Sequence, residues 1–176
     1  MCHWDDFDSQ MVEVATQGTT GPDAPTPFPL LSLIDDPGLH RKAASLWGKA
    51  NARLSNRLGS LDSQPLGSKI GVATLAGTSY QPATSHLVAE LFELHHHDHF
   101  EITALSIGPE RHAPMRQRFA ASFDCFLDVR GQSGLEIARL GRQLGVEIAM
   151  DLHGYTQDSR TAIFAERYAP IQINWP

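Results

Sequence analysis

The stretch Asp151-Leu152-His153-Gly154-Tyr155-Thr156 gathers an acid, an imidazole, a glycine and two hydroxyls within six residues. An imidazole changes charge near neutral pH and can carry a proton for a reaction. The glycine lets the backbone approach a ligand closely, and the hydroxyls can bond its polar groups. The same residues also fit a structural turn in which Asp151 caps a local N–H, and spacing alone favours neither reading. A second polar run, His95-His96-His97-Asp98-His99, has the donor types of a metal site. Metal ligands ordinarily converge from separate elements or from i and i+4 of a helix, so five neighbours in a row predict a solvated loop. Cys2 and Cys125 form no CxxC pair and are expected as reduced thiols.

The elements that must position these residues follow from periodicity. Short apolar, β-rich runs predict strands at residues 70–76, 100–107, 125–129, 146–152 and 171–175. Helical spacing between them predicts helices near residues 84–94, 113–122, 133–144 and 158–166. Strand, helix, strand repeated in this way implies right-handed crossovers and a Rossmann-like parallel sheet with helices on both faces. In such a sheet ligands bind beyond the carboxyl ends of the strands. That edge includes the turns at 77–84, 108–112, 130–133 and 153–158, whereas the histidine run falls at the opposite, amino-terminal edge. The first turn holds only Gly77 and no Walker lysine follows, so neither a dinucleotide fingerprint nor a P-loop is present. Thr84 or Ser85 is placed to cap the helix after it.

Upstream, Trp4, Phe7, Met11, Val14 and Ala15 predict a helix over residues 4–17. Residues 18–29 hold four prolines and two glycines and predict an extended linker, with Phe28, Leu30, Leu31 and Leu33 anchoring it to a core. Asp36 and Pro37 read as N-cap and first-turn proline of a helix running to about Leu58, whose Leu46, Trp47, Leu54 and Leu58 should pack on the sheet domain. The expected organisation is a helical linker region over residues 1–68 and a Rossmann-like lobe over 69–176.

In 176 residues, 41% hydrophobic and 19% charged, there is material for one modest core. A net charge of −6 and a pI near 5.8 argue against broad binding of nucleic acid or anionic membrane. The charge is uneven, at −7 before Arg41, +5 over residues 41–69 and −4 thereafter, so the flanking segments can attract each other. No run of 18 apolar residues exists, and Met1-Cys2-His3-Trp4 followed by acids is unlike a signal peptide. The expected location is the cytoplasm.

The run DLHGYTQDSRTAIFAERYAPIQINW, Asp151 to Trp175, resembles the "DLxGYTxxxRxxIFAxRPAPIQVxW" block of the O-linked N-acetylglucosamine transferase family, family 41 of the glycosyltransferases. Cys2-His3-Trp4-Asp5 is similar to the "CDWxD" that follows the tetratricopeptide repeats of bacterial members. Phe28-Pro29-Leu30-Leu31 with Asp35-Asp36-Pro37 is similar to their "PFPLLxLxDDP". Ser85-His86-Leu87, Phe100-Glu101 and Phe126-Leu127-Asp128-Val129-Arg130 follow in family order. The resemblance implies the first lobe of a two-lobed GT-B enzyme, inverting and metal-independent, that moves N-acetylglucosamine from UDP onto serine or threonine of protein acceptors. It implies no cofactor beyond UDP-GlcNAc as donor substrate. The chain corresponds to the linker and first lobe, beginning where the repeats end and stopping where the family continues "WxGYPGT". The principal cationic and uracil contacts are expected from a second lobe, so the chain alone is expected to be inactive, with a separately encoded second lobe or repeat domain as its partner.

Two departures from the pattern stand out. The motif histidine of "SxDFxxHPxxHL" falls on Pro82, which cannot take a proton, while His86 matches the second histidine and is expected to cap or pack in its helix. Tyr168 replaces the first proline of "RPAPIQ", a change expected to affect turn rigidity alone. By resemblance His153 is the catalytic candidate, with Asp151, Tyr155, Thr156 and Arg160 binding substrate. Asp151 would shape the turn, and Arg160 would brace the loop or approach the acceptor. A non-catalytic protein-interaction module derived from the same lobe is the alternative that the loss of histidine at Pro82 favours.

Overall fold

The five apolar runs are the five strands of one all-parallel sheet in a computed structural model of the chain. The structure describes residues 5–17, 20, 27–52, 54–55, 57–61, 67–76, 82–108, 114–156 and 159–175, the side chains of 82–85 excepted. The start of the first predicted helix, most of the predicted linker and the turns at 77–81 and 109–113 therefore lie outside the described residues. The chain divides into two compact units, residues 1–53 with 155–158, and residues 54–154 with 159–176.

The first unit is helical. Helix α1 spans Phe7–Gln17 and buries none of its residues. Phe28–Leu33, whose first two residues belong to the linker expected to be extended, is a short helix, α2, with a proline in its first turn. Proline fits there because its missing N–H has no helical partner in any case. Of the four expected anchors only Leu30 is buried, at 1% exposed, while Phe28, Leu31 and Leu33 face solvent. One imidazole organises the turn that follows, because His40 Nε2 lies 3.1 Å from the Leu30 carbonyl oxygen and 2.7 Å from that of Ile34. Helix α3 spans Pro37–Asn51 and begins as predicted, with Asp36 Oδ1 accepting from the Leu39 N–H at 3.0 Å and proline in the first turn. It ends seven residues before the predicted Leu58. Beyond it the Ser55 N–H donates to the Ala165 carbonyl at 3.0 Å and Arg57 pairs with Glu166. Those tertiary partners take the chain off the helical path.

The second unit holds the sheet. Its elements are β1 (Ile70–Ala76), α4 (Pro82–Glu93), β2 (Phe100–Ser106), α5 (Pro114–Ala121), β3 (Cys125–Asp128), α6 (Gly134–Gln143), β4 (Ile148–Asp151), a 3-10 helix (Thr161–Glu166) and β5 (Ile171–Asn174). The strand order is β3-β2-β1-β4-β5. Alternation along the central strands sorts their side chains between two cores. Ala73, Leu75, Leu105 and Ala149 pack with Ile137 and Ala138 of α6 and Ile163 of the 3-10 helix. Val72, Ala76, Ile102 and Ala104 pack on the other face with Val88 and Phe92 of α4 and Phe119 of α5. Both faces are covered, which is why β1 and β2 are almost continuously apolar.

Details depart from expectation where side chains beyond the local segment decide. Helix α4 starts at Pro82, so Thr84 and Ser85 fall in its first turn rather than at a cap, and His86 is exposed on its surface rather than packed. The predicted helix over 158–166 is a single 3-10 segment from Thr161, ended by Arg167 at φ 49°. Its first side chain reaches back to Asp151, and no side chain caps its start. The histidine run is a turn at the amino-terminal edge, as expected. There His97 Nδ1 meets Asp124 Oδ1 at 3.1 Å and the His95 ring lies on Phe100.

Tyr168 does more than alter a turn. It is wholly buried, its ring lies against Phe164, and it fills the space left by the missing side chain of Gly141. Its hydroxyl has no hydrogen-bond partner among the described residues, and burial, followed by the nearby Asp151 charge, pushes its ionisation upward. A buried hydroxyl without a partner costs about 1–3 kcal/mol. Tyr168→Phe is therefore expected to leave stability unchanged or raise it by up to about 1 kcal/mol in urea denaturation. A loss above that would reveal a partner for the hydroxyl.

Candidate functional site

The strand order reverses between β1 and β4, and in an open α/β sheet that reversal opens the ligand crevice at the carboxyl ends of the strands. β4 delivers Asp151 to that edge, in register with Leu75 of β1 and Asn174 of β5. The Asp151 carboxyl is 1% exposed and fully engaged. Oδ1 accepts from the backbone N–H groups of His153 at 2.8 Å and Gly154 at 3.1 Å. Oδ2 lies 2.7 Å from the Thr161 hydroxyl, which is also 2.5 Å from the Gly154 carbonyl oxygen and, with one proton, serves one acceptor at a time. This is an Asx turn closed from outside by a threonine.

Gly154 completes the turn at φ 54°, where a Cβ would also come within 3.2 Å of the Asn174 amide. Only glycine meets both demands without strain. Sequence reading missed Thr161 and Asn174, because each touches the turn from another element. The signal for Thr161 was its place directly after the motif arginine. Arg160 itself donates to the Gln132 carbonyl at 2.6 Å, tying the turn after β3 to the segment after β4. In that same turn the Arg130 guanidinium holds the Asp128 carboxyl below the ordinary carboxylate range. Ser133 and Glu136 cap each other's backbone N–H groups at the start of α6.

Tyr155 and Thr156 belong to the helical unit, where the Tyr155 ring meets Trp47 of α3 edge-on at 5.1 Å between centroids. His153, Asp151 and Arg160 belong to the sheet unit. Among the described residues no group of three or more histidine, cysteine or acidic side chains is arranged to hold a metal ion.

His153 is half-buried, and desolvation lowers its pKa below the ordinary histidine value against the opposing pull of Asp151. His95 is shifted the same way, first by burial and then by the charge of His97. A lowered folded-state pKa means the unfolded chain binds protons more readily, so this stability is complete above about pH 6.5 and declines as pH falls below it. The urea midpoint at about pH 5.5 is expected to lie below that at about pH 7.5, and His153→Gln is expected to narrow the gap. An undiminished gap would show that His153 titrates alike in both states.

Residues 62–176 match the family described as Glycosyl transferase family 41. The chain is 33% identical over 91 residues to a probable UDP-N-acetylglucosamine–peptide N-acetylglucosaminyltransferase of Arabidopsis thaliana, a match covering 52% of this chain and 9% of the relative. It is 29% identical over 97 residues to the UDP-N-acetylglucosamine–peptide N-acetylglucosaminyltransferase of Caenorhabditis elegans, covering 52% of this chain and 8% of that one. It thus spans under a tenth of the length of these relatives. In structure it superposes on a mutant of the O-GlcNAc transferase of Thermobaculum terrenum with a TM-score of 0.71 at 22% identity, over 92% of this chain and 30% of the other. That likeness establishes the fold, and the match over residues 62–176, which hold all five strands, establishes the lineage: the chain belongs to glycosyltransferase family 41.

Proposed function

We propose that this chain supplies the first catalytic lobe, with the linker before it at residues 1–68, of a transferase that moves N-acetylglucosamine from UDP to serine or threonine hydroxyls of proteins. One observation carries the reading: the turn from Asp151 to Gly154 sits at the point where strand order reverses, inside the segment that matches the family. In the transfer the acceptor oxygen bonds to the anomeric carbon as the bond to the UDP oxygen breaks. The electron pair leaves with UDP, and the hydroxyl proton must pass to a base. His153 is the proposed base, since its lowered pKa keeps the imidazole neutral and able to accept. Asp151 holds the turn that aims it, Tyr155 and Thr156 contact sugar or phosphate, and Arg160 braces the neighbouring loop. No metal or cofactor takes part in this scheme, and the protein works in the cytoplasm, away from nucleic acid and membrane.

The charge on departing UDP requires cationic groups and helix termini, and a second lobe is proposed to supply them and complete the site. The exposed apolar side chains of Ile171 and Ile173 on edge strand β5 and of Trp175 directly after it, with Ile171 53% exposed, support a docked partner there. Calorimetric titration of UDP-N-acetylglucosamine into the chain tests the scheme. No binding alone, with transfer appearing once a second lobe of the family is added, is the expected result. Transfer by the chain alone would overturn the half-site reading. A stable complex without transfer would favour the second reading, a non-catalytic interaction module, to which Pro82 at the motif-histidine position points.

A further inference from the structure

The two faces of the sheet are unevenly covered. On the face that carries α4 and α5, the core joins β1 and β2 to Val88, Ala89 and Phe92 of α4 and Phe119 of α5. Ile148 and Met150 of β4 border that core and are only partly buried. Register pairs them with Ile171 and Ile173 of β5, so these four side chains stand on the same face. The Trp175 N–H still bonds the Asp151 carbonyl at 2.8 Å, which carries the alternation on to Trp175. Ile171, Ile173 and Trp175 are all exposed, and β5 adds no residue to either core. A parallel sheet ordinarily buries both faces, and this half of one face is bare.

Helix α4 walls the bare strands on one side. Glu93 accepts from Arg118 of α5 at 2.6 and 2.7 Å, which fixes the side of α4 turned toward α5. Leu91, two residues and so about 200° round the helix from Glu93, faces away from α5 and toward β4. Leu87, Leu91 and Leu94 follow i, i+4, i+7 and are 81%, 48% and 73% exposed. Together they make an apolar trough with the four β4 and β5 side chains as floor and the leucines as wall. Two strands about 4.8 Å apart give it about the 10 Å width of one helix. The row from Leu87 to Leu94 is about 10 Å long and that from Ile171 to Trp175 about 13 Å, so one fits along the other.

A trough of this kind takes a helix with an apolar stripe, and α4 is itself such a helix. Socket and insert lie side by side on one face of the same compact unit, the arrangement from which a two-fold contact is built. We infer that, in the absence of a second lobe, α4 of each of two copies lies in the trough of the other. The two-fold axis runs parallel to the strands between α4 and β4, so Leu91 meets Leu91 of the second copy while Leu87 and Leu94 reach its floor. A 12-residue helix half covered, with a floor of equal length, comes to roughly 500 Å² on each copy and about 1,000 Å² in all, the lower bound for a specific pair. The dimer is therefore weak and apolar. The second lobe proposed above takes the same β5 side chains, so, on that reading, a chain holds either the lobe or a second copy.

Sedimentation velocity of the whole chain from about 1 to about 100 μM tests the dimer. A reversible dimer that changes little between about 50 and about 500 mM salt is expected. Leu91→Glu and Leu91→Lys are each expected to raise the dissociation constant at least about tenfold, because they set like charges against each other on the axis. Mixing these two chains pairs opposite charges there and restores association. Ile171→Lys is expected to weaken the dimer from the floor side by a similar factor. All three positions of change are exposed, and circular dichroism of each variant separates loss of association from loss of fold. A monomer at every concentration overturns the inference, as does a dimer that all three variants leave intact. A dimer lost in Ile171→Lys but kept in both Leu91 variants, as edge pairing of β5 would give, overturns it equally, and so do Leu91 variants that stay apart when mixed. No second lobe is added in these measurements, so a failure of the transfer assay leaves their outcome unchanged.

Discussion

Gly141→Ala is expected to lower stability by about 2–4 kcal/mol, even though alanine is the better helix former by about 1 kcal/mol. A Cβ at position 141 would lie 2.4 Å from Cδ2 and 2.8 Å from Cε2 of Tyr168. The ring has nowhere to go, since Tyr168 is wholly buried among Ile137, Ile163 and Phe164 of the same core. Either α6 lifts from the sheet or the ring leaves its site, and each exposes apolar area. Urea denaturation of the single variants and of the double variant Gly141→Ala with Tyr168→Leu measures the coupling. Tyr168→Leu alone opens a cavity and costs about 1–3 kcal/mol. In the alanine background it removes the overlapping ring atoms, so the double variant is expected to be more stable than the sum of the singles by about 2 kcal/mol. Additive losses would mean that α6 adjusts without engaging Tyr168.

Asp151→Ala is expected to cost about 3 kcal/mol and to release the turn at the carboxyl edge of β4. Its carboxyl serves two backbone donors, one of them on the buried Gly154, and a donor stranded by truncation costs about 1–3 kcal/mol. The Thr161 hydroxyl keeps the Gly154 carbonyl as an acceptor, so the loss falls on the two N–H groups. Asp151→Asn keeps the oxygen that accepts from both and places an amide beside the Thr161 hydroxyl, and about 1 kcal/mol is expected. Hydrogen exchange supplies the local readout, with the His153 and Gly154 amides losing protection in the alanine variant and retaining it in the asparagine one. Equal losses in the two variants would show that the turn depends on charge rather than on the accepting oxygen.

The sheet was legible because parallel strands buried on both faces announce themselves as short apolar runs, and each observed strand begins within two residues of its predicted start. The turn at Asp151 was legible as residue types but not as geometry. Nothing in its spacing says that Thr161 and Asn174 close it, or that Arg160 is committed to the Gln132 carbonyl. The helix at Phe28–Leu33 was misread for a related reason, since proline marks both linkers and first turns and His40 decides between them.

Local order, the alternation of faces, the Asp36 cap and the family resemblance were therefore written in the sequence alone, because each depends on residues a few positions apart. The tertiary structure decided the rest. Arg142 shows why: its guanidinium donates to the carbonyls of Leu58, Gly59, Ser60 and Arg167, binding two segments that meet only in the folded chain. Tyr168 over Gly141 is the same kind of fact in volume rather than charge. Periodicity reports the path of a backbone, whereas complementarity of shape and hydrogen bonding exists only between surfaces that folding has already brought together.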